Sequence, residues 1–331
     1  MVTMEKILKV RDLTTSLMLG RKAYPVVNKV SFDLHAGKSL AIVGESGCGK
    51  TMTALSLLRI LPMPPALPPE GEVIYRERNL LALSEKELRR IRGRDIAMIF
   101  QDPMSCLNPV YSIGDQLMEV AETHLDLFDD AGKERALSAL RDVGILDPEG
   151  RFNDYPHQMS GGMKQRVMIA MALMCEPDIL IADEPTTALD VTIQAQVLSL
   201  IKALQRKKGM SLLLITHDMG VVAEMADEVV VMYASREIET GSSRRIFDSM
   251  AHPYTQALFK SLPQMHRPKE KLHVIQGSVP SVKQLPDGCH FNPRCPYVMD
   301  VCRSGRVPDF DLGEGHTAKC WLYDKIDHSK S

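Results

Sequence analysis

Ser39-Leu-Ala-Ile-Val-Gly-Glu-Ser-Gly-Cys-Gly-Lys-Thr51 is the stretch from which the fold is read. Its apolar start, Ser39–Val43, predicts a short buried strand, and Met52–Ile60 after it predicts a helix. Between them Gly44-Glu-Ser-Gly-Cys-Gly-Lys-Thr51 fits G-x-x-x-x-G-K-[ST] in full. Glycines let the backbone curl so that successive N–H groups converge on phosphate oxygens. The helix N-terminus adds about half a positive charge. Lys50 would reach the β and γ phosphates and the Thr51 hydroxyl would bind Mg²⁺. Gly44, Glu45, Ser46, Gly47, Cys48, Gly49, Lys50, Thr51 and Thr53 are therefore the candidate nucleotide contacts of this segment.

Downstream, Ile179-Leu-Ile-Ala-Asp-Glu184 is an apolar strand that ends in two acids. A buried strand delivering carboxylates at its C-terminal edge suits a phosphoryl-transfer site. Asp183 would hold Mg²⁺ through water, and Glu184 would polarise the attacking water. Some twenty residues earlier, Met159-Ser-Gly-Gly-Met-Lys-Gln-Arg166 opens a second helix, Met163–Cys175, on a serine and two glycines. Taken alone, Ser160 is simply an N-cap. Beside a complete phosphate loop it reads as a second anion cradle, Ser160–Gly162, which one chain does not need for one γ-phosphate. A symmetric pair does need it, each cradle serving the partner's nucleotide.

The rest of the chain agrees with a parallel α/β sheet. Ile7–Val10 and Val26–Leu34 predict strands flanking a polar hairpin, Ser84-x-x-Glu87 a helix-opening capping box, and Ile96–Phe100 a strand. Ile113 to about Leu146 has helical period and reads as a helical insertion. Leu212–Ile215 predicts a strand, Val191–Gln205 a helix, and Val229–Tyr233 with Glu237–Thr240 a closing hairpin. A net charge of −2 argues against a nucleic-acid partner. No run of roughly 18 apolar residues is long enough to span a bilayer. Of seven cysteines, Cys289, Cys295, Cys302 and Cys320 crowd the last stretch.

The phosphate loop, the serine–glycine segment, the acidic strand end, then Thr187-Ala-Leu-Asp190 and Thr216-His-Asp218, in that order, resemble the nucleotide-binding domain of ABC transporters over roughly residues 4 to 262. The resemblance implies a RecA-like core with a β-rich subdomain and a helical insertion. It implies that Gln101 senses Mg²⁺ and the membrane partner, and that Asp190 speaks across the dimer. It further implies that His217 contacts the γ-phosphate and that Tyr24 stacks on adenine. Catalysis would then rest on Glu184, His217, Lys50 and Gln101, with Mg²⁺ near Thr51, Gln101 and Asp183. Met159 and Met163 depart from the family's usual leucine and glutamine. Ser235 stands where relatives often carry a hairpin glycine, at a cost of about 1 kcal/mol if the turn needs positive φ.

Phe100-Gln-Asp-Pro-Met-Ser-Cys-Leu-Asn-Pro109, Tyr155-Pro-His-Gln158, His252-Pro-Tyr-Thr-Gln256 and Gly288-Cys-His-Phe-Asn-Pro-Arg-Cys-Pro296 resemble the ATPases of dipeptide and oligopeptide importers. This implies an ATPase domain over 1–262, with a helical subdomain at about 102–160, and a cysteine-bearing extension over 263–331. It implies a second, homologous ATPase subunit (a heterodimer, or a homodimer), two transmembrane permease subunits and, indirectly, a solute-binding protein. The chain would lie peripherally at the cytoplasmic face of a bacterial inner membrane. Nickel importers share this subfamily, so nickel or another solute is the alternative cargo. DNA-repair and translation ATPases are disfavoured: the gap from Thr51 to Ser160 holds no sustained heptads, and only one phosphate loop is present. The spacing Cys289-x5-Cys295-x6-Cys302-x17-Cys320 leads to the expectation of a [4Fe–4S] cluster, with Zn²⁺ as the rival and four packed thiols as the plain alternative.

Overall fold

The computed structural model describes residues 5–102, 106–187, 190–261 and 275–324. In chain order its strands are β1 (Lys6–Leu19), β2 (Lys22–His35), β3 (Ser39–Val43), β4 (Glu70–Tyr75), β5 (Arg78–Asn79), β6 (Ile96–Ile99), β7 (Ile179–Asp183), β8 (Ser211–Thr216), β9 (Glu228–Tyr233), β10 (Arg236–Ser242), β11 (Phe310–Asp311) and β12 (Thr317–Ala318). The chain divides into two compact units. One comprises Met1–Leu34, Ser39–Ala82 and Ile215–Ser331, the other His35–Lys38 and Leu83–Leu214. The expected boundary after Leu262, Pro103–Ser105 of the peptide-importer segment, and Ala188 with Leu189 fall outside the described residues.

In the first unit β2, β1, β4 and β5 form a sheet in that order, with β1 antiparallel to β4 in the register Leu8↔Tyr75 and Val10↔Val73. β1 and β2 are far longer than the apolar runs predict. The supposed polar hairpin is mostly strand, turning only at Gly20-Arg21. The inward alternation continues through Leu13 and Thr15, both fully buried, and the Thr15 hydroxyl shares a 2.7 Å hydrogen bond with that of Ser56. A threonine that points inward is invisible to a count of apolar residues.

The same unit holds the strand run β11-β12-β10-β9-β3. β3 pairs with β9 in parallel, Val43 facing Val231, and β9 and β10 form an antiparallel hairpin closed at Tyr233↔Arg236. β12 pairs with β10 through Glu239↔Ala318 and Thr240↔Thr317. The C-terminal residues thus add strands to the run that carries the phosphate loop. Val43, Val231, Tyr233, Tyr254, Phe259 and Phe291 belong to one core cluster in which sheet and extension share side chains.

The second unit carries β6 parallel to β7, Ile96↔Ile179 through Ile99↔Ala182, with β8 next to β7. β7 is buried along its whole length, its apolar run Ile179–Ala182 ending in the buried Asp183. Helices Ile113–Leu125 and Asp129–Asp142 form the expected helical insertion. The first buries Ile113, Leu117 and Ala121, one stripe at i, i+4 spacing. The capping box at Ser84 and Glu87 forms as read, the Ser84 N–H donating to Glu87 Oε2 at 3.0 Å. Among the described residues no helix is long and apolar enough to cross a membrane.

Candidate functional site

The phosphate loop is held in shape from below. Gly44 and Gly49 have φ of 154° and 109°. A Cβ on Gly44 would lie 2.2 Å from the Met232 carbonyl oxygen, and one on Gly49 2.4 Å from that of Val26. Only glycine fits at either position, so the loop's curl is built into its packing on β9 and β2. Helix Lys50–Leu57 follows directly. Lys50 is buried, and its Nζ donates to the carbonyls of Gly44 at 2.8 Å and Glu45 at 3.2 Å. Its charge therefore lies across the loop's mouth. The Thr53 hydroxyl turns back onto the Gly49 carbonyl at 2.9 Å, so it braces the helix start. Cys48 is buried, and burial pushes its thiol pKa up.

Two more predicted residues lie in this unit. Tyr24 is half-buried on β2, with Lys22 Nζ 5.3 Å from its ring centre. His217 is exposed just past the end of β8. Asp218 caps the helix after it, accepting from Gly220 N–H at 2.7 Å.

The second unit gathers the acidic strand end. Asp183 closes β7 and is buried. Glu184 follows in the left-handed region with φ of 45°, a conformation that non-glycine residues adopt at a cost. Its carboxylate accepts from the Gln101 amide and the Thr187 hydroxyl, each at 2.9 Å. Gln101 and Glu184 lie just past the ends of β6 and β7, neighbouring parallel strands, which brings the two side chains together. Ser160 caps helix Gly161–Leu173, accepting from Met163 N–H at 3.3 Å. Gly162 packs closely, since a Cβ there would lie 3.1 Å from Ile193 Cγ2. Asp190 caps helix Val191–Lys208 through Ile193 N–H at 2.9 Å. Thr51 hydroxyl, Asp183 carboxylate and Gln101 carboxamide are hard oxygen donors, the chemistry that suits Mg²⁺. Glycine-lined amide nest and lysine suit a polyphosphate.

The cysteine expectation is corrected. Cys289, Cys295, Cys302 and Cys320 do line one small cavity of about 10 Å³, with His252, Trp321 and Leu322. All four are free thiols, and among the described residues no group of three or more His, Cys, Asp or Glu side chains is placed to hold a metal ion. The iron–sulfur cluster and its zinc rival find no support. Burial pushes the Cys289 thiol up to about 11 and the Cys320 thiol up to about 12, which keeps them protonated as packing groups. Spacing alone points to ligands. It equally fits a small apolar cluster that binds the extension together.

Three further residues, none of them evident from the sequence pattern, support the site. The Tyr254 hydroxyl accepts the Glu45 N–H at 2.8 Å, and Arg294 forks the Glu45 carboxylate at 2.9 and 3.3 Å. Gln165, buried on the helix that Ser160 caps, donates to the Pro185 carbonyl at 2.6 Å, next to Glu184. Tyr254 and Arg294 sit inside segments already singled out for resemblance. Their roles need the tertiary fold to bring distant chain to residue 45.

The chain matches the model of the ABC transporter family over residues 27–187 and that of the oligopeptide/dipeptide transporter C-terminal region over 238–302. It is 49% identical to the dipeptide transport ATP-binding protein DppD of Bacillus subtilis, covering 97% of this chain and 96% of that one. It is 45% identical to the oligopeptide transport ATP-binding protein OppD of the same organism, covering 97% and 90%. Its fold resembles the dimeric ATP-binding cassette MJ0796 bound to ADP and Pi, with a TM-score of 0.63 and 25% identity over 72% of this chain and 99% of that one. With Lys50 across a glycine nest, Glu184 held by Gln101 and Thr187, and relatives of this identity along almost its whole length, the chain belongs to the ATP-binding subunits of ABC transporters, in the branch that bears the oligopeptide/dipeptide transporter C-terminal region.

Proposed function

We propose that this chain is the ATP-hydrolysing subunit of a binding-protein-dependent importer of dipeptides and oligopeptides, working peripherally at the cytoplasmic face of a bacterial inner membrane. The observation that carries the catalytic half is the Glu184 carboxylate, on a residue with left-handed backbone, held by Gln101 and Thr187. The cargo rests on the relatives, named for dipeptide and oligopeptide transport. The working division is an ATPase domain over 1–262, with its helical subdomain at about 102–160, and an extension over 263–331.

In this reading the backbone amides of Gly44–Lys50 take the triphosphate, and Lys50 leaves the Gly44 and Glu45 carbonyls for its β and γ oxygens. Tyr24 stacks on the adenine. Thr51, Asp183 and Gln101 are the groups that would hold Mg²⁺, which when bound spreads the developing charge. The matching serine–glycine segment of a second, homologous ATPase subunit caps this γ-phosphate, as Ser160, Gly161 and Gly162 cap the partner's, and Asp190 signals across that contact. Glu184 then exchanges its Gln101 hydrogen bond for the attacking water and takes up its proton, while His217 steadies the γ-phosphate oxygens. The Gln101 region and the helices after it transmit closure to two permease subunits. Cargo reaches those subunits from a solute-binding protein.

The test is uptake of a labelled dipeptide by cells that carry the intact gene, a deletion or Lys50→Ala, in competition with longer peptides and with nickel. Equal loss in the deletion and the variant, with competition by peptides, is expected. Unchanged uptake in all three strains refutes the peptide assignment.

A further inference from the structure

Glu45 is the second residue of the phosphate loop and is tied down at four atoms. Its N–H donates to the Tyr254 hydroxyl at 2.8 Å, its carbonyl accepts Lys50 Nζ at 3.2 Å, and its carboxylate receives Arg294 on both oxygens. Of these partners Arg294 comes from farthest along the chain, in the short turn Asn292–Arg294 of the extension. Its side chain is only 6% exposed, against 28% for Glu45. The guanidinium is filled on every side. Nε donates to the Gln276 carbonyl at 2.9 Å and Nη1 to the Tyr233 hydroxyl at 3.2 Å, while Nη2 reaches the carbonyls of Ile275 and Gly277, each at 3.4 Å. Its planar face lies 5.7 Å from the Tyr233 ring centre and 5.8 Å from that of Phe291. Burial works against its charge, and Glu45 and Tyr233 outweigh that, holding its pKa above the ordinary value.

Such a construction exceeds what a surface ion pair needs. It is a planar fork, preorganised by four other oxygens and two rings, and aimed at one carboxylate. The carboxylate is itself a liability where it stands. A loop built to receive a polyphosphate carries a negative charge on its second residue, and like charges repel most where water is scarce. Arg294 cancels that charge and anchors the loop at the same time.

We propose that Arg294 is a positioning residue for nucleotide binding: through Glu45 it holds the phosphate loop in its binding shape and neutralises the loop's own carboxylate, so that the C-terminal extension is a working part of the nucleotide site. This rests on the reading that Gly44–Thr51 binds ATP. The extension then bears on nucleotide affinity without supplying any group that touches the nucleotide.

The experiment is calorimetric titration of the purified full chain with ATP and Mg²⁺ at low and high salt, and the ATP dependence of hydrolysis in the assembled transporter. The variants are Arg294→Gln, Arg294→Lys, Glu45→Gln, the double Arg294→Gln/Glu45→Gln, and Lys50→Ala as reference. Arg294→Gln leaves the carboxylate uncancelled, and ATP is expected to bind about tenfold more weakly at low salt, less so at high salt, with kcat at saturating ATP retained. Arg294→Lys recovers part of the loss, since an ammonium restores charge without the fork. The double variant removes the offending charge while its two amides can still pair and keep the loop anchored, and it is expected to recover to within about threefold of the wild type. Glu45→Gln alone keeps the anchor, since its amide oxygen still accepts from Arg294, leaves the guanidinium positive beside the loop, and is expected to bind ATP more tightly. Wild-type affinity in Arg294→Gln, with only its thermal midpoint lowered, would make the contact purely structural and overturn the proposal. So would a double variant as weak as the single, or a weakened Glu45→Gln, which also serves if Arg294→Gln does not fold. If Lys50→Ala binds ATP normally, the reading of the loop itself fails. If Lys50→Ala loses ATP while Arg294→Gln does not, this proposal alone is overturned.

Discussion

Replacing Ser235 by glycine should stabilise the protein, and the turn between β9 and β10 gives the size. Tyr233 and Arg236 pair directly, so Ala234 and Ser235 form a two-residue turn, with φ of 42° and 71°. Both values lie in the left-handed region that the tight hairpin turn requires. For serine that conformation costs about 1–2 kcal/mol, and the greater freedom of unfolded glycine takes back roughly 0.5–1 of what glycine would recover. The Ser235 hydroxyl is also buried without a hydrogen-bond partner, an omission worth about 1 kcal/mol. The backbone bonds of the turn survive the change, since they are Ser235 N–H to the Cys48 carbonyl at 2.9 Å and Asn28 N–H to the Ser235 carbonyl at 2.8 Å. Ser235→Ala should therefore gain about 1 kcal/mol from the hydroxyl alone, and Ser235→Gly about 2 kcal/mol from both sources. In a thermal melt the glycine variant should rise by roughly 4 °C. A glycine variant no more stable than the alanine variant would refute the strain argument. An alanine variant less stable than the wild type would refute the account of the hydroxyl.

Acid stability should reflect two opposed sets of groups. Burial pushes His252 and His290 down to about 4, so their contribution is complete above their ordinary 6.5 and is lost as pH falls toward 4. Burial pushes Glu237 up to about 7, so its contribution is present below its ordinary 4.5 and is lost as pH rises through 7. Glu237→Gln removes the offset, and its urea midpoint should fall more steeply from pH 7 to pH 5 than that of the wild type; equal slopes would contradict this. Cys289 and Cys320, raised to about 11 and about 12, should alkylate at pH 8 about a hundredfold or more slowly than an exposed thiol, as read by mass spectrometry. Gly49→Ala drives a Cβ to within 2.4 Å of the Val26 carbonyl and should cost about 3 kcal/mol together with ATP binding; a variant that binds ATP normally would show that the loop's curl is not fixed by this packing.

What could be read from the sequence was whatever depends on neighbours along the chain. The loop Gly44–Thr51, the acids closing β7, the caps at Ser84 and Ser160, and the β9–β10 hairpin are local, and each appears where its residue pattern predicts. The conditional strain at Ser235 is also borne out by its φ of 71°. The length of β1 was not legible, because Thr15 faces inward and satisfies its hydroxyl on Ser56, which is remote in sequence. Arg294 could be quoted as part of a motif but not given a task, because its partner Glu45 lies at the other end of the chain. The cysteine spacing misled for the same reason. It reports four sulfurs close together, which ligation and apolar packing both produce.

The pairing of β12 with β10 has a consequence for how the protein is made. A ribosome delivers β10 long before its neighbour, so Glu239 must wait for Ala318, and Glu45 for Arg294. At roughly 5–20 residues per second the edge of β10 stays open for several seconds after it emerges. During that interval it is a row of unpaired backbone groups, open to any other unfinished strand. The nascent chain is also without the guanidinium that settles its phosphate loop. Closing the edge of β10 and seating the Glu45 carboxylate are thereby coupled to synthesis of residues 294–318, and a chain released before them keeps both the open edge and the uncancelled charge.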